Sequence, residues 1–154
     1  MKKILMALLA CLLIAGCSSK EAKEEHASCV IEQAGLMTMD VDFSAKNDEI
    51  TEMVMKITID SSLFGGVDFS TMDDEAKGQV KDAMLEQLGI SEDTKGLTTE
   101  VDFTDTMVVT VGIDLNTASK EDLKKIGLDI ENTDMSFKRL LEDSEKEGYT
   151  CTKK

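Results

Sequence analysis

The chain is poor in the residues from which catalytic and nucleic-acid-binding sites are usually built. Its 154 residues include no proline, no tryptophan, one tyrosine and one histidine. Basic residues are also few, with 17 Lys and Arg against 31 Asp and Glu, and the formal charge is -14. This charge cannot neutralise a phosphate backbone, so we expect no nucleic-acid partner. It equally disfavours electrostatic docking on anionic lipid.

Catalytic and metal-binding sites are disfavoured because the residues that usually form them are few. A Ser-His-Asp triad would have to use His26, which lies in a polar stretch near the N-terminus. Calcium needs about six to eight oxygen ligands. The nearest candidate loop starts at Asp114, but Ala118 and Lys120 stand where ligands should follow. We therefore expect a protein that is not an enzyme, with no catalytic residues, no metal and no cofactor.

The strongest signal lies at the N-terminus. Lys2 and Lys3 precede a stretch of about a dozen apolar residues, which is too short to span a bilayer. Small residues then lead into Cys17, a pattern typical of lipoprotein cleavage sites. The sequence predicts that residues 1–16 are a lipoprotein signal peptide and that Cys17 is acylated. An ordinary secretory signal with a chance cysteine is the alternative.

The predicted mature chain has two parts. Residues 17–27 contain the acylated cysteine and a polar stretch without apolar periodicity, so we expect a flexible acidic tether. Residues 28–154 form a single domain. Removing Lys2 and Lys3 leaves 15 basic and 31 acidic residues, a side-chain charge of -16. The expected location is the extracytoplasmic face of the cell membrane, with the membrane as partner through the acyl anchor.

Two cysteines remain, Cys29 and Cys151, at opposite ends of the predicted domain. Disulfides persist outside the cytoplasm, and a bond between these residues would tie the two ends of the domain together. The sequence therefore predicts a Cys29–Cys151 disulfide. Two free buried thiols are the alternative.

Strands precede helices in the predicted fold. Met37, Met39, Val41 and Phe43 alternate with polar residues, and a second alternation follows with Met53, Met55, Ile57 and Ile59. The Gly35 turn adds an earlier strand and should place Cys29 opposite Met39, and the Asn47 turn should place Val41 opposite Met53. A hairpin is expected between residues 99 and 115. Three helices are expected, ending at Gly89, Gly127 and Gly148, the last of them starting at Thr133. The first should be capped by Ser70 or Thr71, with Ala83 and Gln87 among its inward-facing positions. This predicts an α+β fold in which a β-meander and a β-hairpin form one antiparallel sheet, with helices packed on one face.

A repeated tetrapeptide suggests an internal duplication. Val41-Asp42-Phe43-Ser44 recurs as Val101-Asp102-Phe103-Thr104, each time in the first arm of a hairpin followed by a helix. A ββα duplication would explain this repeat, and convergence on a similar strand composition would explain it equally.

The pattern resembles a known family. The lipoprotein leader, the Cys29 strand, the Gly35 turn, the Asn47-Asp48 turn and the Glu147-Gly148-Tyr149 end are similar to the YehR-like bacterial lipoproteins, over about residues 29–154. The resemblance implies a small α+β fold and a lipid anchor. It implies no activity, so no functional residue beyond the anchor cysteine is carried over.

The methionines leave one functional question open. Met37, Met39, Met53 and Met55 share one sheet face, and methionine both fills ordinary cores and lines adaptable binding surfaces. We expect a protein-interaction or binding module at the cell surface, with an unknown protein partner or small ligand. The alternative is a small-ligand carrier accessory to a transporter, with a pocket between sheet and helices.

Overall fold

A computed structural model describes residues 22–91, 94–131 and 134–154. The predicted leader and Cys17 lie outside this range, so these two predictions are not tested by it. The strands are β1 (Glu24–Gln33), β2 (Met37–Lys46), β3 (Glu49–Asp60), β4 (Leu97–Phe103), β5 (Thr106–Asp114) and β6 (Thr150–Lys153). The helices are α1 (Asp74–Leu88), α2 (Lys120–Lys125) and α3 (Phe137–Lys146), and two short 3₁₀ turns at Ser61–Phe64 and Phe69–Thr71 precede α1.

All six strands belong to one antiparallel sheet in the order β4-β5-β3-β2-β1-β6. The first three strands form a meander, the next two form a hairpin that joins β3, and β6 pairs with the outer edge of β1. The helices pack on one face of this sheet, so the predicted α+β fold is confirmed. No helix in the described ranges is long and apolar enough to cross a membrane.

The side-chain alternation of the strands decides which face the helices cover. In β5, Met107, Val109, Val111 and Ile113 are buried while the residues between them are partly exposed. Equivalent alternate positions of β2 and β3 point the same way. Each such side chain contributes about 1.5–3 kcal/mol when fully buried, so the shared apolar face fixes both the sheet and the side on which the helices pack.

The domain begins earlier than the predicted boundary at residue 28. Strand β1 starts at Glu24, which pairs with Lys46 of β2, and Ala27 is 1% exposed. His26 is therefore part of the strand, and its ring nitrogen lies 3.2 Å from the Ser44 hydroxyl oxygen. The polar sequence before residue 28 did not predict this extension of β1, because it has no apolar period. Residues 24–27 are part of the strand because β2 is long enough to pair with them.

The register of the meander differs from the expected one by two residues. Cys29 pairs with Val41, not Met39, because the three-residue turn closed by Gln33 and Met37 lies one residue later in the chain than expected. Val41 pairs with Met55, not Met53, because the turn contains both Asn47 and Asp48 at positive φ and a bulge follows. A two-residue shift keeps each side chain on its expected face, so the core prediction survives the error.

Helix starts also differ from expectation. The Asp73 carboxylate accepts a hydrogen bond from the Ala76 amide at 2.8 Å and caps α1, whereas Ser70 and Thr71, the expected caps, lie in a 3₁₀ turn. The last helix starts at Phe137. Its expected start, Thr133, lies outside the described residues.

The N-terminus of α3 is held by a residue from the sheet. Asp48, at φ 69° in the β2–β3 turn, accepts a hydrogen bond from the Lys138 amide on its carboxylate at 3.2 Å. Its carbonyl oxygen accepts a second one from the Phe137 amide at 2.8 Å. An acidic side chain at the positive end of a helix dipole is favourable, so this turn orients the helix over the sheet.

The predicted disulfide is confirmed. Cys29 in β1 pairs directly with Cys151 in β6, their Cα atoms are 4.0 Å apart, and their sulfur atoms are bonded. Lys153 of the same short strand lies over the Phe137 ring, 5.6 Å from its centroid. The bond therefore joins the first strand to the last and fixes β6 beside α3.

The proposed internal duplication stays a prediction. In β2 and β4 the Val and Phe of the repeated tetrapeptide both point toward the core. The two hairpins meet through the antiparallel pairing of β3 and β5. A similar tetrapeptide at residues 67–70 leads into the 3₁₀ turn Phe69–Thr71, in which Phe69 is buried.

Candidate functional site: an apolar cavity between the sheet and the helices

The buried side chains form two clusters, not one. The first lies beneath α1 and α2 and includes Leu85 and Leu123, and the second lies beneath α3 and includes Phe137 and Leu141. Met39, Met53 and Met55 pack against both clusters, as does Leu115, but these side chains are only partly buried. A seam lined by methionine therefore runs between the cluster beneath α1 and α2 and the cluster beneath α3.

A cavity of about 320 Å³ opens along this seam. Its floor comes from the three central strands and its walls from the ends of the three helices. The lining residues are Met39, Val41, Phe43, Met53, Met55, Val111 and Ile113 on the sheet, and Leu88, Ile90, Ile126, Leu128, Leu140, Ser144, Glu147 and Tyr149 on the helices and the residues after them. The volume lies at the lower end of the range for small-molecule sites.

All three helices end at this cavity in the same way. Each stops at a glycine with positive φ, and the amide after that glycine donates to a carbonyl five residues back. The residues after the three glycines are Ile90, Leu128 and Tyr149, and all three line the cavity. The C-terminal ends of the helices, which carry the negative ends of their dipoles, thus converge on one place.

The polar edge of the cavity is formed near Tyr149. The phenol oxygen of Tyr149 donates a hydrogen bond to the Met39 sulfur at 3.0 Å. Burial raises the pKa of this phenol, and the negative charge of Glu147 raises it further. Ser144, on the preceding turn of α3, is the third polar lining residue. Within the part of the chain that the structure describes, no Lys, Arg or His side chain lines this cavity.

A second hollow lies at the end of the sheet where the Asn47-Asp48 turn meets α3. Its volume is about 500 Å³, but it is a wide surface depression. Its polar groups already serve the fold, since Asp48 holds the helix start and Asp134 accepts from the Ser136 amide at 3.0 Å. Within the described ranges, no three His, Cys, Asp or Glu residues are placed to hold a metal ion. We therefore take the apolar cavity as the candidate site.

The structure divides the predicted methionine face. Met39, Met53 and Met55 line the cavity, whereas Met37 packs only against the first cluster. Cys29 and Cys151 form the disulfide and are not part of the cavity. Sequence reasoning missed the helical wall of the site. The available signal was the three glycines that end helices, each followed by a large apolar or aromatic residue.

Comparisons with known proteins support the fold but not an activity. No family model matches the chain, and no curated protein matches it in sequence. The NMR structure of Escherichia coli YehR is similar to it with a TM-score of 0.62 at 14% identity, covering 86% of this chain and 93% of that one. The NMR structure of a protein from Streptococcus pneumoniae TIGR4 is similar with a TM-score of 0.54 at 13% identity, covering 90% of each chain. The chain therefore has a YehR-like fold.

Proposed function

We propose that this protein is an extracytoplasmic lipoprotein of the YehR-like family that binds a small, mainly apolar ligand between its sheet and its helices. The observation that carries the proposal is the cavity of about 320 Å³, lined mostly by apolar side chains. Three of these are methionines, which adapt their shape to a ligand at little cost. The fold in common with YehR, together with the leader before Cys17, supports the family assignment.

Ligand binding is tested with 1-octanol and the anchor-free mature chain, residues 18–154, which keeps every strand and helix described above. Binding is followed by NMR of the methionine methyl groups, and we expect octanol to shift the signals of Met39, Met53 and Met55. Leu140→Trp should fill the cavity and abolish the shifts. Lys138→Trp, which adds the same ring to the exposed side of α3, should leave them unchanged. Octanol addition without any methionine shift would refute the proposal.

The lipid anchor is tested separately. Cys17→Ala should leave the precursor uncleaved or release the chain from the membrane, because the acyl chains would have no attachment point. Mass spectrometry and detergent partitioning of the processed chain measure the result. An unchanged mass and unchanged partitioning would show that Cys17 carries no lipid.

A protein-interaction module is the second candidate, and one feature favours it. Four apolar side chains are exposed at one end of the sheet: Leu36 (38%), Leu63 (50%), Phe64 (45%) and Val67 (46%). They lie at the end of β1 opposite to Glu24, where the chain enters the domain, so they would project away from an anchored membrane. A photo-crosslinker at position 64 in the anchored protein should give a discrete product that a crosslinker at position 100, on exposed polar β4, does not. Equal labelling at both positions would contradict a docking role.

A further inference from the structure

We infer that the cavity selects ligands whose polar end is a cation, such as an alkylammonium group, over ligands that end in a carboxylate. This inference rests on the proposed ligand-binding function and adds the charge of the ligand to it. It follows from the groups that surround the cavity and from the charges that are absent among its lining residues.

The first observation is the convergence of helix ends. The C-termini of α1, α2 and α3 all meet the cavity through Ile90, Leu128 and Tyr149. A Cβ atom at Gly89 would lie 3.3 Å from the Lys125 carbonyl oxygen, so the ends of α1 and α2 are in contact. Cations are stabilised at helix C-termini and anions are destabilised there, and the three dipoles act on the same volume.

The second observation is the sign of the lining charges. Among the described residues, Glu147 is the one lining side chain of an ionisable acid or base other than Tyr149, and its negative charge reaches the half-buried phenol of Tyr149. The Tyr149 hydroxyl already donates to Met39, so its oxygen is left as an acceptor toward a ligand. A carboxylate at this edge would meet acceptors and a negative charge, whereas an ammonium group would be attracted.

The basic side chains in the last turns of α2 and α3 are Lys124, Lys125 and Lys146, and none of them lines the cavity. Lys125 and Lys146 are held in ion pairs with Asp122 and Asp143 at 2.9 and 2.7 Å. The chain as a whole carries 31 acidic residues against 17 basic ones, so its long-range field also concentrates cations and repels anions.

The test compares three probes that share one alkyl chain: octyltrimethylammonium, 1-octanol and octanoate. Binding to the anchor-free mature chain is followed through the methyl signals of Met39, Met53 and Met55. We expect the ammonium probe to bind at least about tenfold more tightly than octanoate, with octanol between them. The advantage should shrink as salt is added, because Glu147 is exposed to solvent.

A matched pair of variants identifies the source of the selectivity. Glu147→Gln should weaken ammonium binding at least about threefold and leave octanol binding unchanged. Glu145→Gln removes the same charge from the same helix end at a residue that does not line the cavity, and should have a smaller effect. Octanoate binding as tightly as the ammonium probe, or equal effects of the two variants, would overturn the inference while octanol binding still supports the cavity. Failure of octanol itself would refute the proposed function and the inference together.

Discussion

Breaking the Cys29–Cys151 disulfide should cost a large part of the stability of the domain. The bond joins residues 122 positions apart, so it closes nearly the whole domain into one loop. In chain-entropy models a loop of this length destabilises the unfolded state by about 5 kcal/mol. Small domains have a total stability of about 5–15 kcal/mol, so the reduced protein should be marginally folded at best.

The measurement is urea unfolding of the anchor-free mature chain, oxidised and reduced, which compares two states with identical side chains. A Cys29→Ala/Cys151→Ala double variant serves as the control for thiol reactivity, and it should match the reduced protein to within the cost of the lost sulfur packing. That cost is real, because Cys29 is fully buried. The slope of free energy against urea concentration should rise on reduction, since an open chain exposes more surface when it unfolds.

Two outcomes would contradict this reasoning. A stability loss under about 1 kcal/mol would mean that the unfolded chain is already compact enough for the cross-link to remove little entropy. A loss confined to β6, seen as fast amide exchange at residues 150–153 with the rest of the sheet protected, would mean that the bond fastens a strand and does not stabilise the whole fold.

Three further predictions concern single side chains. Asp48→Ala should lower the free energy of unfolding by about 1 kcal/mol, because it removes the side chain that caps α3. Asp48→Asn keeps an acceptor oxygen and should retain most of that free energy. Equal losses for the two variants in urea unfolding would contradict the capping role. Gly35→Ala should cost about 1–2 kcal/mol of backbone strain, because its φ is positive. Gly96→Ala should destabilise the domain far more, because its φ is also positive and its new methyl group would collide with the backbone of Ala118; similar melting temperatures of the two variants would refute this. The hydrogen bond from Lys146 lowers the pKa of Asp143. The ionised Asp143 carboxylate therefore stabilises the fold above about pH 4, and this stabilisation is lost as the pH falls through the folded-state pKa. Asp143→Asn should flatten the acid side of the curve of unfolding free energy against pH, and identical curves for the two proteins would exclude this contribution.

Strand periodicity predicted most of the sheet, because a period of two needs only local sequence. The alternation from Met37 to Phe43 and from Met53 to Ile59 identified the buried face, and this assignment survived a register error of two residues. The error arose from the bulge near Ala45 and from the true positions of the turns. These are set by backbone geometry that apolar spacing does not encode.

The helices were harder to place, and so was the cavity. In α1 the expected inward positions Ala83 and Gln87 are exposed, while Leu85 is buried. This helix is weakly amphipathic, so its orientation comes from packing and not from its own pattern. The cavity depends on where three separate helices end relative to one sheet, which is a tertiary property. In the sequence, the signals for the helical wall of the cavity were the Gly-Ile, Gly-Leu and Gly-Tyr pairs that follow the helices.

The position of β1 between β2 and β6 has a mechanical consequence. A pull on the N-terminal end of the chain along the axis of β1 loads the pairing of residues 24–33 with β2, and at residues 27–30 the hydrogen bonds to β2 and β6 must shear together. The disulfide at Cys29 then limits how far the strand can slide out. Only residues 24–28 precede the disulfide in β1. A force on the N-terminal end can therefore detach at most about 17 Å of extended chain before the covalent disulfide bears it.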